Sequence, residues 1–140
     1  MKQCLSIIVL FPIFFCSCKK ENNTPNTPVI EIVDTSATLK LSGIFSNGPY
    51  GSVSGMAKVY LKDGKFTLVL DGVTISNGPD LHVYLSKEIS PVNFIDLGKL
   101  KSTGGTQVYD IAGSPNFSQY KYALVHCQLF DHLFGSSQLL

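Results

Sequence analysis

The sequence predicts an all-β domain, an antiparallel β-sandwich or flattened barrel of about seven to eight strands. Apolar and polar residues alternate with a period of two from about Ala37 onward. Gly, Pro, Asn and Ser interrupt that alternation in "SNGPYGS", "SNGPD", "STGG" and "AGSPN", all of them turn compositions. No window of about a dozen residues shows helical periodicity free of Gly, Pro and β-branched residues.

Taken in chain order, "ATLKLSGIF" sets Leu39, Leu41 and Gly43 against polar neighbours. "GMAKVYLKD" puts Ala57, Val59 and Leu61 on one side and Met56, Lys58, Tyr60 and Lys62 on the other. "KFTLVLDGVTI" continues the pattern through Phe66, Leu68 and Leu70. Asp63 and Gly64 alone separate these runs, and Asp-Gly there predicts a tight hairpin, because both turn positions must accept positive φ. "LHVYLS", "TQVYDIA" and "YKYALVHCQLF" read as further strands, with a short last one in "SSQLL". The repeated "SNGP", at Ser46 to Pro49 and again at Ser76 to Pro79, reflects turn chemistry and not a fixed-period repeat.

Ahead of this domain, "LSIIVLFPIFF" forms an apolar run of about eleven residues after a single lysine, the length of a signal-peptide core. Spanning a bilayer takes about twenty. The run ends in "FFCSCKK", which looks like a bacterial lipoprotein signal cut just before an acylated cysteine, Cys18; "SCKKE" is similar to lipoproteins of the Bacteroidetes type. Cys16 competes for that role, and an ordinary secretory signal is the plainer reading. The expected organisation is a signal peptide over 1–17, lipidated Cys18 and a polar, proline-bearing tether over 18–36, and one domain over 37–140. The expected location is the cell envelope, on the inner or outer membrane, facing periplasm or cell surface.

Cysteine arithmetic then isolates one thiol. Cys4 and Cys16 leave with the signal peptide, Cys18 carries lipid, and Cys127 stays alone, so no internal disulfide supports the domain. The net charge is +1, and all 11 basic residues are scattered lysines. No clustered basic face exists for nucleic acid, which is excluded as a partner. The chain also lacks tryptophan, one of the commonest hot-spot residues of tight protein interfaces.

On a strand, Val125, Cys127 and Leu129 share one face, while Leu124, His126, Gln128 and Phe130 share the other. Adjacent side chains diverge, so His126 is not a base for Cys127. Cys127 reads either as a redox or ligating residue, as an inert core thiol, or as one half of an intermolecular disulfide. His82 lies opposite Leu81, Val83 and Leu85 and approaches Cys127 if their strands are neighbours. Cys127, His82 and His132 are a chemically sound copper, zinc or iron set, but carry no ligand spacing, and no metal site is assigned. Asp80, following Gly78-Pro79, is expected to cap the turn.

Three blocks carry a family resemblance: "SNGPDLHVYLS", "DLGKLKSTGGTQVYDI" and "YKYALVHCQLFDHLFG". In their order and spacing they resemble the electron-transfer DM-thirteen domain family, over about Leu39 to Leu140. The resemblance implies an all-β extracytoplasmic domain whose characteristic cysteine is Cys127. It also implies a redox role, with that sulfur acting as a bare thiol or as ligand to a prosthetic group such as haem. His82 is the next cofactor-binding candidate. The chain departs from the family in having His126 where a tryptophan usually precedes the cysteine. The expected function is therefore a lipid-anchored redox or electron-transfer domain working on a partner or substrate at a membrane surface. The alternative is a non-catalytic binding or adhesion module with Cys127 in its core.

Overall fold

The computed structural model describes residues 23–140. The expected signal peptide and Cys18 lie outside the described residues. Nine strands follow: β1 Val29–Ile30, β2 Thr38–Asn47, β3 Val53–Lys62, β4 Lys65–Ile75, β5 Leu81–Ser86, β6 Phe94–Lys99, β7 Gly104–Ile111, β8 Tyr122–Cys127 and β9 His132–Gln138. Their order in one sheet is β1-β7-β4-β3-β2-β9-β8-β5-β6. All pairs are antiparallel except β1 with β7, so the sheet is mixed.

The sheet curls into a half-barrel because β2 belongs to both of its halves. Residues 38–44 pair with β3, and residues 45–47 pair with β9. A Cβ at Gly43, where the strand changes partner, would run into the Gln138 carbonyl. Only glycine allows that approach. The two halves thereby face one another across a single core. Val59, Leu68 and Leu70 come from one half, and Val83, Leu85 and Val125 from the other; all six are fully buried. Burial of each such side chain contributes roughly 1.5–3 kcal/mol before chain entropy is set against it.

The all-β class and the Asp63-Gly64 hairpin are as the sequence predicts, with φ of 49° and 75° at the two turn residues. The strand count is slightly higher than expected, because β1 and β6 were not legible. The segment assigned to the tether is also partly folded. Pro25 O accepts from Thr103 N at 2.9 Å, Thr27 O accepts from Ser102 Oγ at 2.7 Å, and Val29 pairs with Gly105. We call residues 23–31 the strap. At the other end, β8 stops at Cys127 and residues 128–131 turn into β9, leaving Leu129 and Phe130 exposed.

Candidate functional site

Cys127 ends β8 on the inner side of the sheet, 1% exposed and part of the core. Its Sγ donates to the Pro79 carbonyl at 2.9 Å. That carbonyl belongs to the turn entering β5, where Asn77 Oδ1, not Asp80, receives the Gly78 N–H at 2.8 Å. The strap lies over the same turn: Asn23 bridges Pro79, and Thr24 Oγ1 donates to Gly78 O at 3.4 Å. The thiol is thus closed off by one turn, and the turn by the strap.

This geometry does not fit a prosthetic group on Cys127. The sulfur is committed to a backbone carbonyl, and the clefts at Ile32, Asp80 and His126 are all lined without it. Among the described residues, no three His, Cys, Asp or Glu side chains form a metal-binding group.

β5 and β8 are neighbours, as a contact between His82 and Cys127 requires, but the register separates the two residues. Leu81 pairs with Cys127, and His82 pairs with His126. Successive strand residues point to opposite faces, so both histidines lie on the outer face, away from the sulfur. The expectation that His82 approaches Cys127 is corrected by this one-residue offset. His132 pairs with Cys127 across β9, yet its ring stacks on Tyr50 at 3.7 Å.

The outer face is more buried than simple alternation implies: all six residues of β5 are buried. The 87–93 loop folds back here, with Ser86 Oγ donating to Glu88 O at 2.7 Å. On the same face, His82 Nδ1 donates to the Asp96 carboxylate at 3.0 Å. Its Nε2 lies 3.4 Å from Asp80 Oδ1 but is buried without a hydrogen bond. Asp80 also faces Lys99 at 3.4 Å, in place of the expected cap. Gln128 Nε2 reaches both the Tyr84 hydroxyl, at 3.3 Å, and Asp96 Oδ2, at 3.4 Å.

His126 stacks on Tyr84 at 5.2 Å, and Tyr84 stacks on Phe94 at 4.3 Å. The His126 Nε2 faces Asp131 Oδ1 across 3.2 Å, and its Nδ1 is buried with no partner. Burial pushes the His126 imidazole below its ordinary value; Asp131 opposes the shift, while His132 and His82 add to it. The ring is therefore neutral at pH 7, with its proton favoured on Nε2 by the carboxylate and a lone pair on Nδ1. Burial likewise raises the Tyr84 phenol, against the Gln128 hydrogen bond.

The sequence singled out Cys127 and His82 but missed the set around His126. Asp96 and Asp131 come from a strand and a turn that only the fold brings beside β5 and β8. The alternation of Tyr84, His126 and Gln128 onto one face was the available signal. The middle resemblance block is structural: Gln107 is wholly buried and receives Lys101 N, Ser102 N and the Tyr109 hydroxyl.

Fold and site together define an all-β domain with one enclosed thiol and a histidine–carboxylate outer face. The sequence pattern of the electron transfer DM13 family matches residues 45–139, a span that includes both features. The chain belongs to that family. No curated protein and no solved structure matches it.

Proposed function

We propose that the chain serves electron transfer at a bacterial cell envelope, held there by lipid on Cys18, with Cys127 as its redox thiol behind the Gly78-Pro79 turn. Membership of the electron transfer family supports the general role. The observation that carries the cysteine's part is the enclosure of the sulfur by a turn and strap at a strand end. A thiol reacts only with a partner that can reach its sulfur, and the Gly78-Pro79 turn covers this one. Opening of the turn is therefore the gating step, and the closed state protects the sulfur from adventitious oxidation.

One observation favours a second reading. The thiol is 1% exposed and packs within the core, which suits a latch that fastens the Pro79 turn and takes no part in redox chemistry.

DTNB labelling in increasing, subdenaturing urea distinguishes the two, with Cys127→Ser as the blank. The redox reading expects labelling through local opening, at a rate nearly independent of urea and several-fold faster in Thr24→Ala. Labelling that rises with the full urea dependence of global unfolding, and is unmoved by Thr24→Ala beyond its effect on stability, would assign Cys127 to the core latch.

A further inference from the structure

Above the outer face, two grooves flank the 87–93 loop. One, of about 220 Å³, is lined by Tyr84, Pro91, Phe94, His126, Gln128 and Asp131. The other, of about 300 Å³, shares Pro91, His126 and Asp131 and continues along Pro49, Tyr50 and Val92. His126 is thus common to both, with a side chain 4% exposed and an unpartnered Nδ1. A buried acceptor without a donor has lost its water and gained nothing in return. The loop residue sharing both grooves with it is proline, which has no N–H to give.

We propose that this groove binds a neutral phenolic ring whose hydroxyl donates to His126 Nδ1. The walls select a flat apolar body: the Phe94–Tyr84–His126 stack lies on one side, and Tyr50, Val92 and Phe94 are exposed at the rims. The acceptor selects a donor. Asp131, with its side chain 90% exposed at the shared mouth, disfavours carboxylates and phosphates. Another cleft, about 320 Å³ beside Ile32 and Val108, lies elsewhere, and its Lys62 and Asp34 are paired with each other. A phenol is itself a redox-active class, which suits an electron-transfer domain. The groove nevertheless lies on the opposite face from Cys127, so ring binding and thiol labelling fail or succeed separately.

The test is NMR titration of the full chain, labelled uniformly with nitrogen-15, using p-cresol, 4-methylanisole and 4-methylbenzoate. Saturable movement of the His126 Nδ1 signal by p-cresol is expected. Binding of 4-methylanisole, which lacks the donor, should be about tenfold weaker or worse, and 4-methylbenzoate should not bind. His126→Phe keeps a ring and removes the acceptor, and should weaken p-cresol binding by about tenfold. Equal binding of cresol and anisole would overturn the proposal even if that variant failed to fold. So would shifts confined to the Ile32 cleft, or no saturation by about 10 mM cresol.

Discussion

Gln107 fastens the loop at residues 100–103 through a single buried amide. Its Oε1 receives the Lys101 and Ser102 N–H groups at 3.1 and 3.2 Å and the Tyr109 hydroxyl at 2.8 Å, while Nε2 donates to Ser102 O at 2.8 Å. Burial pushes the Tyr109 phenol above its ordinary value, so it stays a hydroxyl and keeps donating. Gln107→Leu retains bulk but strands several of these groups in the interior. A loss of about 3 kcal/mol or more is expected in urea unfolding. Tyr109→Phe removes one hydroxyl and leaves the amide in place, so about 1 kcal/mol is expected there. Equal losses in the two variants would mean that the amide is not the hub.

Among the elements, the strap depends on the absence of a side chain at Gly105. This residue has φ of 96°, and a Cβ on it would meet the Val29 carbonyl. Gly105→Ala is therefore strained in place and also pushes β1 off β7, at a combined cost of about 2 kcal/mol. Hydrogen exchange should accelerate first at Glu31 and Thr103, whose N–H groups bond Thr106 O and Pro25 O. Exchange faster only in step with global unfolding would show that the strap is integral to the core. The same elements show where the sequence was legible. Strands with a polar and an apolar side, such as β3 and β4, announce themselves by alternation. β1 does not, because it is two residues of parallel pairing inside a polar segment. β6 does not either: "FIDLGK" mixes both kinds of residue on each face, and its register shifts against β5 between Val83 and Tyr84. The site divides similarly. The lone thiol is a matter of counting residues, whereas the His82–His126 pair needs the β5–β8 register. A one-residue slip would have set His82 beside Cys127, and no local pattern fixes that choice.

At the scale of the whole molecule, the last strand made is the seam. β9 lies between β2 and β8, joining the half of the sheet that holds β3, β4 and β7 to the half that holds β5 and β6. It also delivers Phe134 to the core, while Leu139 N, just beyond it, bonds Lys121 O at 2.8 Å. Pairing the second strand with the ninth closes a loop of most of the chain. Such topologies fold slowly, on about the millisecond-to-second scale. Ending the chain at Asp131 leaves β2 and β8 as open edges and uncovers the inner faces of both halves. The expected product has strand-like circular dichroism at most, poor amide dispersion in NMR and no cooperative urea transition. A cooperative transition with a smaller urea dependence would instead show that β2, β3, β4 and β7 fold alone. In that case the thiol and the histidine face, both on the other half, would be an appended unit whose order depends on β9.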